Sequence, residues 1–290
     1  MYTDFFERLI GNFYGDPIKC ELEYRKAYKY LDRYLFQREN HYNSFYRNKN
    51  VCLDKTIWIC WLQGIENAPE IVKKCVDSVK RNLPEDFELI LITEENFYEY
   101  LKPLPFVVDK FHKGMISRAH FSDILRVELL YIYGGCWIDS TVYCSGKIPD
   151  YMITGDLFLF QWSVMDHSLL KISNWWIYAK NSSILLRELR NMLYNYWQTE
   201  QKAINYFLFH IMFTKVLDSN SFCKSIFNNM PYANNSTPHI LVGKMSLPFR
   251  QQEWEILKSQ SNVHKLTYKN KIIQGDIYNF YMALMDGRLI

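Results

Sequence analysis

The stretch "SRAHFSDILRVELLYIYGGCWIDST", residues 117–141, constrains the fold more than any other. An apolar run at helical spacing stops at two consecutive glycines and passes at once into a short apolar strand that ends in an acid. That order fits a helix lying on a sheet whose next strand is buried on both faces. Ser117 is placed to cap the helix amino end and Gly134 to end it in a left-handed turn. The strand Cys136-Trp137-Ile138 then delivers Asp139, followed by Ser140 and Thr141. In open α/β sheets, ligands bind at the carboxyl ends of such strands.

The same alternation runs through the first half of the chain. "KTIWICWLQG" predicts a buried strand and a loop, with Trp61 at the strand's end. "APEIVKKCVDSVKRNLP" predicts a helix stopped by Pro84, "FELILIT" a second strand, residues 94–101 a short helix, and "LFLFQW" a further strand. The second half, with "SSILLRELRNMLYNYWQTE" and "AINYFLFHIMFTKVL", reads as mainly helical. The expected class is α/β, a mainly parallel central sheet flanked by helices, with further helices added at both ends of the chain. The division expected is an N-terminal helical extension over residues 1–50 and one main domain over residues 51–290.

Composition narrows the function. The chain has 290 residues, 49% of them hydrophobic, enough for a sizeable core. A net charge of +3 is too small to indicate nucleic-acid binding. Seven scattered cysteines without a C-x-x-C spacing argue against a zinc ribbon or a disulfide framework. With no signal-peptide pattern at the start and no apolar run long enough to span a bilayer, a cytoplasmic protein is expected. The basic character is local: residues 19–50 hold eight lysines and arginines against four acids. Tyr24, Tyr28, Leu31 and Leu35 recur there at helical spacing, which predicts a helix docked on the main domain with a basic outer face. The alternative is peripheral contact with an anionic surface, such as the inner membrane face or a lipid-linked phosphate.

Few residues are candidates for chemistry. Asp123 and Arg126 share a helix face, with His120 one turn earlier. A carboxylate accepts from sugar hydroxyls, and a guanidinium fork donates to hydroxyl or phosphate oxygens. Trp61 could stack on a base, or be a core tryptophan. Asn174, before Trp175-Trp176, could read hydroxyls beside an aromatic surface. His264 offers a metal ligand and Lys265 a phosphate-binding cation. P-loop, G-x-G-x-x-G, G-x-S-x-G and H-E-x-x-H patterns are missing from the sequence.

Taken together, "IWICWLQG", "AHFSDILRVELLYIYGGCWIDST", "SNWWIYAKNSSILLRELRNMLYNYW", "NYFLFH" and "HKLTYK" resemble the capsular polysaccharide synthesis proteins over about residues 55–269. These are similar in turn to the Asp-x-Asp sugar transferases of the initiation-specific mannosyltransferase type. The resemblance implies a GT-A (Rossmann-like) fold and retaining transfer of a hexose from a UDP-sugar. The acceptor implied is a hydroxyl of a surface glycan, lipid-linked in one version. It also implies that Trp61 stacks on the uracil, that Asp123 and Arg126 hold the donor sugar, and that Asp139 is the first acid of Asp-x-Asp. Thr141 stands where the second acid would be, W-I-D-x-T being the usual form within the capsular branch, and Asn205 where many relatives carry Asp. Asp139, Arg126 and Asp123 are thus the expected catalytic residues. Trp61, His120, Ser140, Thr141, Asn174 and Lys265 are the expected substrate contacts. Asp139 and His264 would hold a divalent metal, Mn²⁺ in preference to Mg²⁺ because imidazole suits transition metals. The alternative reading is a binding protein of the same fold that has lost turnover.

Overall fold

The computed structural model describes residues 17–35, 52–163, 168–269 and 277–289. The elements, in chain order, begin with α1 (Pro17–Tyr30), β1 (Thr56–Cys60), α2 (Glu70–Arg81), β2 (Glu88–Ile92), α3 (Phe97–Tyr100) and α4 (Pro105–His112). There follow α5 (Arg118–Tyr133), β3 (Gly135–Ile138), β4 (Val142–Cys144), β5 (Leu157–Gln161) and β6 (Ile172–Ala179). The remainder is α6 (Ile184–Thr199), α7 (Leu208–Ser219), α8 (Ser221–Asn229), α9 (Ile240–Lys244), α10 (Gln251–Gln260), β7 (Val263–Lys265) and α11 (Phe280–Met285).

A five-stranded sheet in the order β2-β1-β3-β6-β5 forms the centre. Strands β2, β1 and β3 are parallel, while β6 runs antiparallel to both of its neighbours, β3 and β5. Four strands therefore share one direction and β6 opposes them. Side chains alternate across the sheet. Ile57, Ile59, Cys136 and Ile138 pack with Val76 and Val79 of α2 on one face. Trp58 and Trp137 join the larger core of α5, α6 and α7 on the other.

The two glycines work as the sequence suggests. Ser117 Oγ accepts from the His120 N–H at 3.3 Å, which caps α5. Gly134 ends the helix at φ 76°. Gly135 has φ 95°, and a Cβ there would lie 2.4 Å from the Thr56 carbonyl oxygen. Only glycine lets the chain turn this tightly from α5 into a strand against β1.

Strand β6 is where the sequence misleads. "ISNWWIYA" is an aromatic and β-branched run, yet Ser173-Asn174 breaks its pattern and the helical segments that follow mask it. Its reversal has a consequence for the site. The amino-terminal residues of β6 lie beside the carboxyl end of β3, where Asp139 N–H donates to the Trp175 carbonyl at 2.8 Å. A second ribbon, β4 paired antiparallel with β7, brings residues 263–265 to the same end of the sheet.

The expected N-terminal helix is present as α1 and a 3-10 turn, Leu31–Tyr34. Tyr24, Ala27, Leu31 and Tyr34 are buried in the main core. The basic face is partly neutralised by the chain itself, through Arg25 with Glu21 and Lys26 with Glu23, both at 2.9 Å. Residues 36–51, which complete the expected basic segment, lie outside the described residues, as do residues 1–16 of the expected extension. Among the described residues, no helix is long and apolar enough to cross a membrane.

Candidate functional site

A cleft of about 410 Å³ opens at the carboxyl ends of β1 and β3. Trp61, His120, Asp123, Arg126, Asp139, Ser140, Thr141, Asn174 and Lys265 all line it. Residues spread over some 200 positions of sequence are thus brought to one wall. Trp61 follows β1, helix α5 supplies His120, Asp123 and Arg126, β3 and its following turn Asp139, Ser140 and Thr141, β6 Asn174 and β7 Lys265.

Arg126 is the hub. Its Nη2 lies 3.3 Å from Asp123 Oδ1 and 3.6 Å from Asp139 Oδ1. Nη1 donates to the Asn174 carbonyl, and Nε and Nη2 donate to Ser122. The guanidinium also lies over the Trp137 ring, 4.7 Å from its centroid. Every nitrogen of the fork is therefore engaged, and the side chain is only 5% exposed. Asp123 is held from two further sides, by Asn174 Nδ2 at 2.8 Å and by His120 Nδ1 at 3.4 Å. Asn174 thus fixes a carboxylate, in addition to lining the cleft. Trp176 is core, and Trp175 is stacked on Phe160 with ring centroids 4.4 Å apart.

Asp139 sits between two cations. Lys265 Nζ donates to its Oδ2 at 3.0 Å, and Trp137 Nε1 donates to its Oδ1 at 3.0 Å. Burial pushes the Asp139 carboxyl up, but the charges of Lys265 and Arg126, together with these hydrogen bonds, outweigh it and hold it below the usual value. It is a carboxylate at any physiological pH. Lys265 also donates to Thr141 Oγ1 at 2.5 Å, and the Leu266 N–H to the Thr141 carbonyl at 2.8 Å.

Trp61 is half-buried and meets Tyr268 edge to face, with ring centroids 5.3 Å apart. Its indole N–H is buried without a hydrogen-bond partner. Sequence reasoning missed Tyr268 and two other lining residues, Tyr206 and His210. His210 Nδ1 is buried without a partner, and burial lowers its pKa to about 4, so the ring is neutral. A lone histidine at the start of the apolar helix α7 was the available signal. Asn205 Oδ1 accepts from the Phe207 N–H at 2.8 Å and shapes the turn entering α7.

The model of the capsular polysaccharide synthesis proteins matches residues 12–284. The chain belongs to that family. An O-glycosyltransferase named PaGT from Phomopsis amygdali is 24% identical over 158 residues, covering 50% of this chain and 39% of its own. The O-glycosyltransferase braB of Annulohypoxylon truncatum is 28% identical over 109 residues, 34% of this chain and 26% of its own. This capsular-family chain therefore spans about two fifths or less of the curated relatives it matches. A solved structure, the PaToxG glycosyltransferase, aligns over 73% of this chain and 85% of its own at 14% identity and a TM-score of 0.40, a similarity too low to carry an argument.

One expectation fails in this family member. His264 does not reach the cleft. On β7 it neighbours Lys265, and successive strand residues point to opposite faces. Lys265 faces Asp139, so the imidazole turns inward, with Nε2 3.0 Å from Ser145 Oγ and the ring against Trp254 at 5.4 Å. The remaining residues suit a divalent metal poorly. Asp139 is the single carboxylate at the Asp-x-Thr turn, both its oxygens are already engaged, and Thr141 is bonded to Lys265. Among the described residues, no group of three His, Cys, Asp or Glu side chains is placed to hold a metal ion.

Proposed function

We propose that the chain is a glycosyltransferase that moves a sugar from a nucleotide-sugar donor to a hydroxyl of a glycan acceptor. The observation that carries this reading is the Asp123–Arg126–Asp139 constellation at the carboxyl ends of adjacent parallel strands, beside a half-buried tryptophan. The strand order, with one reversed strand among four parallel ones, supports the GT-A form of the fold. UDP is the donor nucleotide proposed, with the uracil against Trp61 and Tyr268. The sugar hydroxyls would meet Asp123, and the diphosphate would lie toward Lys265. The acceptor proposed is a surface glycan of the capsular type, lipid-linked in the case where the basic N-terminal segment meets an anionic membrane face.

Both carboxylates of the cleft are tied up as acceptors: Asp123 by Arg126, Asn174 and His120, and Asp139 by Lys265, Trp137 and Arg126. Neither is poised as a covalent nucleophile. This supports retention through same-face attack. The bond between the anomeric carbon and the diphosphate breaks, the acceptor oxygen bonds to that carbon, and its proton passes to the departing phosphate oxygen. Charge grows on the diphosphate, so fixed cations next to it lower the barrier. Release of UDP from a panel of UDP-sugars, with and without glycan acceptors, tests the reading. Turnover of one donor is expected. UDP binding without release from any of them would identify a binding protein instead.

A further inference from the structure

Resting on the nucleotide-sugar reading, we infer that Lys265 is the cation of the diphosphate site, occupying the place where an Asp-x-Asp transferase would hold a divalent metal. Asp139 and Thr141 are then positioning residues for Lys265. Three observations converge. The Lys265 ammonium already bridges the two side chains that would flank a metal, at 3.0 Å from Asp139 and 2.5 Å from Thr141. An ammonium has three donors, and these two bonds leave one for a phosphate oxygen. A metal entering here would have to displace a bound lysine from a partly buried ion pair, 19% and 26% exposed at its two ends.

The second observation is the charge of the wall. Arg118, Arg126, Lys265 and Lys269 line the cleft against two carboxylates, Asp123 and Asp139, a balance of +2 before any ion is added. That balance matches the two negative charges of a nucleotide-sugar's diphosphate. The third is the residue at 141 itself. Threonine offers a hydroxyl that accepts from the ammonium without adding charge. A second carboxylate would have made the turn a dianion suited to a divalent ion. Arg126 is worse placed for this part: it is 5% exposed against 19% for Lys265, and its Nε and Nη2 are committed to Ser122, Asp123 and Asp139. Lys265 has a donor to spare at the turn itself.

The experiment is calorimetry of UDP and of uridine with the full chain, in EDTA and then in Mn²⁺ or Mg²⁺. For the wild type, UDP is expected to bind equally in all three conditions. In Lys265→Met, UDP affinity in EDTA should fall about tenfold or more, the loss of a charged hydrogen bond, while uridine binding stays unchanged. Lys265→Arg should restore part of it. Unchanged uridine binding and thermal melting show that Lys265→Met has folded. If Mn²⁺ tightens wild-type UDP binding tenfold, the lysine inference is overturned and the transferase reading stands. Unaltered UDP affinity in Lys265→Met overturns it as well. If the wild type binds neither UDP nor uridine in any condition, the nucleotide reading falls and the inference with it.

Discussion

Helix α5 presents two arginine–carboxylate clusters, and they are built to different ends. On one side Glu128 pairs with Arg190 of α6 at 2.6 Å, and both side chains are buried. On the other, Arg126 draws Asp123 and Asp139 together at the edge of the cleft. The chemistry is the same; the access differs. The Glu128–Arg190 pair ties α5 to α6 within the apolar core and does not line the cleft. In the Arg126 cluster the arginine is buried, but Asp139 retains 26% exposure and Lys265 19%. A buried ion pair alone says nothing of function. What marks the second cluster is that its carboxylates are held rigidly where a ligand can reach them.

The comparison breaks most easily at Glu128. Glu128→Ala removes the carboxylate that Arg190 Nε meets inside the core and should cost about 3–5 kcal/mol of stability. Activity per folded molecule should be unchanged. Denaturant unfolding with a folded-fraction correction of the assay reads both, and a selective loss of activity would erase the distinction between the clusters. Arg126→Lys is the converse. It keeps a charge but loses the fork, so turnover should fall by about 10²-fold, with a smaller loss of stability. Wild-type turnover in that variant would make the Arg126 cluster as structural as the Glu128 pair.

Neighbours on β7 sharpen the same contrast. Lys265 faces the cleft, whereas His264 is buried and held neutral, its pKa lowered by burial to about 4. An unfolded imidazole titrates near 6.5. The stability this neutral ring contributes is therefore fully present above about pH 6.5 and is lost progressively as pH falls toward about 4, on the order of 1–3 kcal/mol. His264→Gln should flatten that part of the profile, and thermal melts between these pH values, compared with the wild type, measure it. An identical acid profile in the variant would mean that His264 is not held neutral.

An effect of similar size, on ligand binding and not on stability, is expected at Trp61. Trp61→Ala should weaken UDP binding by about 1–3 kcal/mol, the range of base–aromatic stacking, while leaving the melting temperature close to wild type. Its half-buried position at the cleft mouth supports this. A folded variant with unchanged UDP affinity would move Trp61 to the structural side of the comparison.

Much of the site was legible before any coordinates. The helix–glycine–strand passage requires that Asp123, Arg126 and Asp139 come near one another, because helix face and strand end are joined by a turn only glycine can make. Trp61 followed from the end of an apolar strand. Asn174, by contrast, was read as a hydroxyl-binding group beside an aromatic surface. Its grip on Asp123 depends on β6 running backward beside β3, which no local pattern signals. His210 and Tyr268 were missed because single polar or aromatic residues in apolar surroundings look like core until a cavity is known.

Sequence alone determined the α/β class, the place of the turn bearing Asp139 and the family of the chain, because period, glycine sterics and ordered motifs are local and survive without tertiary context. Tertiary structure alone decided that Lys265 rather than His264 meets Asp139. Adjacent residues on a strand must face opposite ways, and which of the two looks into the cleft is set by the pairing of β7 with β4, a contact across more than a hundred residues of chain.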